Sequence, residues 1–162
     1  MYVNINLMDD KQKIDFNLIP QWWAICLKGD CPQAQNCLRR IAFDNMPKGT
    51  NAWKCLMAEA MVPVEADGRC KFYAKNELVK FAYGFDEMMK KVNSRDGRFG
   101  IRMDLTSYFG SKGTYYRSKH GERQLSPADQ QKVLSVFAQY GFSGDDYRFD
   151  RYEDGYELEC DR

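Results

Sequence analysis

Four cysteines in the first half of the chain have the chemistry and the spacing of a metal site. Cys26, Cys31 and Cys37 lie close together, and Cys70 follows in the turn-like segment 67–70. Because nothing in the chain indicates export, thiols spaced this way predict a metal site before they predict disulfides. Four thiolates suit tetrahedral zinc. We therefore expect Cys26, Cys31, Cys37 and Cys70 to converge on one zinc ion.

The same cysteines allow other interpretations. The chain has no Cys-x-x-Cys pair, and the plant-type iron–sulfur spacing matches only the gap between Cys26 and Cys31. Buried cysteines also pack as small hydrophobic residues, which is the expectation for Cys55. Cys160 lies near an acidic end and is expected to be unpaired. In an exported protein whose signal has been removed, these thiols would instead form disulfides.

The residue after Cys31 predicts how this thiol is placed. Pro32 is a residue type favoured at the first position of a helix, and the segment 32–43 reads as that helix. Cys31 would then lie at the positive end of the helix dipole, which favours the thiolate. This placement also allows a third function, a thiol redox sensor in which Cys31 reacts.

Residues 102–142 predict three short helices with a tight turn between the first two. Gly110 closes the first helix, because glycine takes the left-handed conformation common at helix ends. Ser111 is placed to cap the second helix, and Ser126 followed by Pro127 starts the third. Tyr115 is expected to face inward, against Leu105 and Phe137.

This layout resembles the helix-turn-helix of the phage-repressor-like superfamily over about forty residues. The resemblance lies in Gly110, the capping Ser111, Thr114, the segment 121–123 and Ser126-Pro127. It implies that the second helix enters the major groove of duplex DNA. The residues that would face DNA or lie near phosphates are Lys112, Thr114, Tyr116, Arg117, Lys119, His120 and Arg123. Ser118 departs from the pattern, because an apolar residue is usual there, and the alternative is a helical lobe with a solvated basic face.

The charge distribution is more informative than the net charge of +1. Residues 71–140 contain thirteen Lys and Arg against seven Asp and Glu, whereas residues 141–162 contain three against eight. A basic middle allows a DNA or protein partner, and an acidic tail could compete for it. No segment is apolar for long enough to cross a membrane, and the N-terminus does not resemble a signal peptide. We therefore expect a cytoplasmic protein.

The remaining segments predict short strands and one further helix. Strands are expected at 2–7 and 62–65. An amphipathic helix is expected to open at Asn76-Glu77 and to end at 93–97. A hairpin is expected over 147–158, with its turn at Asp154-Gly155 and with Phe149 and Leu158 buried. The expected fold class is α+β, mainly helical with a small antiparallel sheet or hairpin. The expected organisation is a cysteine module (1–75), a helix-turn-helix-like region (76–142) and an acidic hairpin tail (143–162), forming one compact unit.

Taken whole, the chain resembles an uncharacterised family of small Bacteroidales proteins, the 6078-type domain of unknown function. The matching stretches are 26–32 with 37–39, then 68–70, 114–117, 121–123 and 125–127. The resemblance implies a common architecture but does not imply any particular activity.

The sequence contains no recognisable set of catalytic residues. The chain has no phosphate-binding loop, no nucleophile elbow and no zinc-protease helix, and its acidic residues lack the spacing of a calcium loop. His120, the single histidine, is expected to be a surface residue. The sequence thus favours a non-enzymatic protein: a zinc-stabilised DNA-binding regulatory or accessory protein or, alternatively, a protein-interaction module or the redox sensor.

Overall fold

A computed structural model describes residues 14–56 and 70–158 of the chain. Within these residues the fold is α+β and mainly helical with small two-stranded sheets, as predicted. The chain divides into two compact units, Met1–Glu77 with Tyr156–Arg162, and Leu78–Gly155. The strands predicted at 2–7 and 62–65 lie outside the described residues.

Unit 1 is built from short elements. They are a 3-10 helix at Phe16–Leu18, strand β1 at Ile25–Cys26, a 3-10 helix at Ala34–Asn36, helix α1 at Leu38–Asp44 and strand β2 at Cys55–Leu56. Strands β1 and β2 pair in parallel, with Ile25 opposite Cys55. The core contains Trp23, Ile25 and Leu38, while the adjacent Trp22 is 52% exposed.

The helix predicted over 32–43 begins later than expected. Cys37 has an extended backbone, with φ −94° and ψ 116°, and forms an isolated bridge with Lys75. The N–H of Leu38 donates to the carbonyl of Ala74 at 2.7 Å. Pairing with a distant segment therefore interrupts the helical pattern at Cys37, and α1 starts only after it. Cys31 consequently does not stand at the start of an α-helix.

Unit 2 contains the longer helices. Its elements are strand β3 at Leu78–Tyr83, helices α2 at Asp86–Lys91, α3 at Arg95–Phe109, α4 at Lys112–Lys119 and α5 at Pro127–Gln139, and strand β4, which begins at Arg151 and ends at Tyr156. Strands β3 and β4 pair. The N–H of Asp150, just before β4, donates to the carbonyl of Gly84, just after β3. The end of one strand thus lies beside the start of the other, as in an antiparallel pair.

The helix predicted from Asn76 to the segment 93–97 is wrong for its first half. Residues 78–83 form β3, and α2 begins only at Asp86. Gly84 has φ +72°, which separates the two elements. Ala82 also exchanges two backbone hydrogen bonds with Leu125, at 3.1 and 2.8 Å. Bonds to distant segments therefore outweigh the apolar spacing that suggested a helix.

The predicted C-terminal hairpin is also wrong. Asp154 and Gly155 lie inside the single strand β4 rather than in a turn. Gly155 does not have a positive φ. It instead leaves room for the ring of Phe81, because a Cβ built on Gly155 would lie 3.1 Å from that ring. Phe149 is buried as predicted, and Leu158 is partly buried against the unit 1 core.

The three helices predicted over 102–142 are confirmed as α3, α4 and α5. Gly110 closes α3 with φ +77°, and the Ser111 hydroxyl caps α4 by accepting from the N–H of Thr114 at 3.0 Å. Ser126 and Asp129 form a reciprocal capping box at the start of α5, with Pro127 at its first turn. Tyr115 is 1% exposed and shares one core cluster with Leu105 and Phe137, as predicted.

Candidate functional site

The four predicted thiols line one cavity in unit 1. Cys26, Cys31, Cys37 and Cys70 all border a cavity of about 10 Å³. Cys37 is buried and the other three are partly buried. None of the five cysteines in the described part of the chain forms a disulfide. The structure therefore brings the four thiols together and leaves each of them reduced.

Separate elements of unit 1 carry these thiols. Cys26 ends β1, and Cys37 is the residue before α1. Cys31 lies in the loop between them, where its carbonyl accepts from the N–H of Ala34. Cys70 begins a turn in which its carbonyl accepts from the N–H of Tyr73. The N–H of Cys70 in turn donates to the side-chain oxygen of Gln33 at 3.3 Å. The thiol cluster is thus assembled from residues 26–37 and from the distant turn that begins at Cys70.

Cys70 is the thiol whose environment is most clearly altered. Burial raises the pKa of Cys70 above its ordinary value, and the nearby thiols of Cys31, Cys37 and Cys26 raise it further, against the lowering effect of a hydrogen bond from the backbone of Phe72. The Cys70 thiol is therefore neutral at pH 7. Thiolates at the other three positions would oppose its ionisation unless a cation were present.

Arg39 joins the segments around the cluster, a role that was not predicted from the sequence. Its side chain is 3% exposed and donates to the carbonyls of Ala24 and Phe72. Its guanidinium also lies 4.3 Å from the centre of the Trp23 ring. Arg39 thereby ties the segments that carry Cys26 and Cys70 to the helix that follows Cys37. Its position two residues after a cluster cysteine was the only signal in the sequence.

The thiol cluster does not already have the arrangement of a metal site. Across residues 14–56 and 70–158, no group of three or more His, Cys, Asp or Glu side chains has the geometry to hold a metal ion. Cys55 does not line the cavity and is exposed, not buried as expected. Cys160 lies outside the described residues.

Four of the residues expected to contact DNA are exposed around α4. These are Lys112, Tyr116, Arg117 and His120. The ring of Tyr116 stacks on the His120 ring, with centroids 6.1 Å apart. Thr114 is partly buried, and its hydroxyl hydrogen-bonds the Ser111 hydroxyl at 2.9 Å.

The other two cations of that set have partners within unit 2. Lys119 forms an ion pair with Asp86 at 2.7 Å, and its side chain is 19% exposed. Arg123 forms an ion pair with Asp129 at 3.3 Å and lies over the Phe109 ring. Arg123 also donates to the hydroxyl of the buried Ser118 at 3.4 Å. Both cations therefore stabilise the folded unit in this structure.

A second basic surface in unit 2 was not anticipated. Arg95, Arg98 and Arg102 occur at i, i+3 and i+7 on α3, so their side chains share one face of the helix. This face borders a groove of about 390 Å³ that is also lined by Tyr116 and Lys119 of α4. The spacing is visible in the sequence, but the pattern predicts a helix end at 93–97 and the next helix only from Arg102, which separates the three arginines.

Comparison with known proteins identifies the family of this chain. Residues 8–158 match the model of the Family of unknown function (DUF6078). The chain belongs to this family. Neither the curated proteins nor the solved structures provide a match. In the parts of the chain that are described, no helix combines the length and the apolar character that a membrane crossing requires.

Proposed function

We propose that the protein binds zinc through Cys26, Cys31, Cys37 and Cys70, and that this site stabilises unit 1. The observation that carries the proposal is the convergence of the four thiols on one cavity. Small rotations of cysteine side chains would allow sulfurs to reach the bond length of about 2.3 Å that zinc requires. Because Cys70 is distant in sequence from the other three thiols, a bound ion would crosslink its turn to residues 26–37.

The charges around the cavity support a four-thiolate site. Four thiolates around one zinc ion carry a net charge of −2, which is costly to bury without compensation. Lys28, Arg39 and Arg40 line the same cavity. Their positive charges would offset the excess negative charge.

The size of the cavity favours a single ion over an iron–sulfur cluster. A space of about 10 Å³ is close to the smallest that accommodates one water molecule. A cluster of several iron and sulfide ions would require the surrounding segments to move apart. Zinc is therefore the better candidate.

The position of Cys31 removes one reason to expect a redox sensor. It depended on a helix dipole that stabilises the Cys31 thiolate, and Cys31 does not begin an α-helix. The convergence of four thiols remains compatible with oxidation, so the zinc experiment must also report the thiol state.

Elemental analysis together with a thiol count tests the zinc proposal. We expect about one zinc per chain, and a chelator should make four further thiols reactive. Cys70→Ser should lower the zinc content, while the matched control Cys55→Ser should not, because Cys55 is exposed and lies outside the cavity. Iron with acid-labile sulfide, disulfides among the four cysteines, or equal zinc loss in both variants would reject the proposal.

A second candidate function is binding of duplex DNA by α4. It is supported by the exposure of Lys112 and Arg117 and by the order of α3, Gly110, Ser111 and α4, which matches the expected helix-turn-helix layout. Because Lys119 and Arg123 are engaged in ion pairs, the proposed contact set reduces to Lys112, Tyr116, Arg117 and His120, with Thr114 partly buried.

Fluorescence anisotropy with a labelled duplex tests this second function. Lys112→Ala with Arg117→Ala should weaken binding by about 1–3 kcal/mol if either residue contacts a base edge. The affinity should fall steeply as salt rises, because phosphate contacts release counterions. Arg148→Ala is the matched control, an exposed cation in unit 2. If no duplex binds at low salt, α4 is better explained as part of a protein-interaction surface.

A further inference from the structure

We propose that the groove between α3 and α4 binds the phosphates and bases of single-stranded nucleic acid. The groove belongs wholly to unit 2, has a volume of about 390 Å³ and is lined by Arg95, Arg98, Arg102, Lys119, Phe99 and Tyr116. Its volume is within the range of ligand sites. The inference is independent of the zinc proposal, because it uses no residue of unit 1.

The arginines of this groove have the charge of an anion site. Arg95, Arg98 and Arg102 are exposed, and none of them forms an ion pair with another residue that the structure describes. Three like charges on one helical face repel one another. A bound anion would relieve this repulsion, and guanidinium groups match phosphate oxygens in geometry.

Two of the three arginines are also held in place without losing their charge. Arg98 donates its ε N–H to the carbonyl of Val92 at 2.5 Å, which leaves its terminal nitrogens available. The Arg102 guanidinium lies 5.4 Å from the centre of the Phe99 ring. The ion pair of Lys119 with Asp86 offsets one of the four positive charges of the groove.

Two exposed aromatic rings point to a ligand with bases as well as phosphates. Phe99 is 56% exposed and Tyr116 is 42% exposed, and both line the groove. Exposed rings beside cations are the combination that binds single-stranded nucleic acid, because every base can stack on a ring. A simple phosphate site would not require them.

The length of the arginine row favours a strand over a single phosphate. Arg95 and Arg102 are seven positions apart, which corresponds to about 10 Å along a helix. This distance is longer than one phosphate group, so successive phosphates of a strand fit the row better. A free nucleotide shares the same chemistry and is therefore one arm of the test.

Fluorescence anisotropy on the full chain tests this proposal with three probes: a labelled twelve-nucleotide thymidine strand, its duplex, and unlabelled thymidine monophosphate as competitor. We expect the strand to bind with an affinity that falls as salt rises. Phe99→Ala should weaken strand binding at least about fivefold, as expected for loss of a stacked base. Arg102→Ala should weaken it, and Arg102→Lys should restore part of the loss.

Matched variants make the test specific to the groove. Arg148→Ala removes an exposed cation outside the groove, and Tyr152→Ala removes an aromatic side chain that is 46% exposed on β4. Both should bind the strand like the unchanged protein, and thermal melts should show that all variants fold.

Several outcomes would overturn the inference. One is absence of strand binding at low salt, and another is equal loss in Arg102→Ala and Arg148→Ala, which indicates a non-specific charge effect. If Phe99→Ala binds normally, the rings do not recognise bases. If thymidine monophosphate displaces the strand at equal concentration of phosphate, the groove is a nucleotide site and the strand assignment is wrong.

Discussion

The ammonium of Lys119, at the end of α4, lies 2.7 Å from the carboxylate of Asp86, at the start of α2. The pair is mostly shielded, since the two side chains are 19% and 28% exposed. The neighbouring carbonyl of Lys119 also accepts from the N–H of Phe85 at 3.0 Å. These contacts join α4 to α2 and give Lys119 a structural role that its sequence position does not suggest.

Breaking this pair should destabilise the protein. We expect Asp86→Asn to lower the free energy of unfolding by about 0.5–1 kcal/mol, and a double-mutant cycle with Lys119→Met to give a similar coupling energy. The Lys119 hydrogen bond lowers the pKa of Asp86 below its ordinary value of 3.8. The contribution is therefore present above that value and is lost as pH falls through the lowered pKa. Urea denaturation at pH 7 and pH 3 measures it, and a zero coupling energy at pH 7 would contradict this prediction.

Arg39 should be one of the most sensitive positions in unit 1. Arg39→Met retains much of the apolar volume but leaves the carbonyls of Ala24 and Phe72 without the hydrogen bonds of Arg39. Because an unsatisfied buried acceptor costs about 1–3 kcal/mol, we expect a loss of about 2–4 kcal/mol. Arg40→Met is the control, since Arg40 pairs with Asp44, whose side chain is 51% exposed, and should cost less. Chemical denaturation compares the two, and equal losses would argue against the role assigned to Arg39.

Gly84 and Gly113 should respond to alanine in opposite directions. Gly84 has φ +72°, and a Cβ there would overlap the Asp150 carboxylate. We expect Gly84→Ala to destabilise unit 2 by about 1–3 kcal/mol. Gly113 lies in α4 with its nearest neighbour at 3.9 Å, so Gly113→Ala should stabilise the helix by about 0.5–1 kcal/mol. Thermal unfolding measures both. Destabilisation by Gly113→Ala would contradict the placement of Gly113 inside α4.

Tyr115 should make stability depend on alkaline pH. Burial raises the pKa of Tyr115 from 10.0 to about 12. The neutral phenol thus contributes stability that is complete below pH 10 and is lost as pH rises through about 12. Tyr115→Phe cannot ionise there, so its unfolding free energy should fall less between pH 9 and pH 11.5. Identical pH profiles of the two proteins would show that other tyrosines dominate this range.

Zinc affinity should rise with pH. Because burial raises the pKa of Cys70, the thiol must release a proton when it becomes a metal ligand. Competition with a chelating dye between pH 6.5 and pH 8.5 should show affinity that increases by up to about tenfold per pH unit for each proton released. Cys70→Ser should reduce this slope, and Cys55→Ser should not. An affinity independent of pH would contradict thiol coordination.

The helical part of unit 2 was the most predictable part of the fold. Gly110, Ser111 and Ser126-Pro127 specify helix ends through local backbone geometry and through hydrogen bonds that reach only three residues. The inward side of α4 was also predictable, because Tyr115 continues an apolar pattern. These signals act within one or two helical turns, so the helix ends that they specify do not depend on how the rest of the chain packs.

The strands and the supports of the site were not predictable in this way. The apolar pattern from Leu78 onward fits a helix as well as a strand. Pairing with β4 and the bridge to Leu125 stabilise the strand instead. The sequence immediately around Arg39 and Lys119 does not indicate the long-range contacts that these two side chains make. Their partners, Phe72 and Asp86, lie 33 residues away in both cases.

The sequence by itself determined the α+β class, the helix ends at Gly110, Ser111 and Ser126, the family, and which four cysteines would line one cavity. These follow from residue types, from short-range capping geometry and from the spacing of thiols. Tertiary structure alone decided where β3 ends, that Asp154-Gly155 extends a strand, which cations keep their charge exposed, and that the face of Arg95, Arg98 and Arg102 borders a groove with Tyr116. The reason is physical: strand pairing, ion pairs and grooves depend on which distant segments meet, and that is set by the packing of the whole unit.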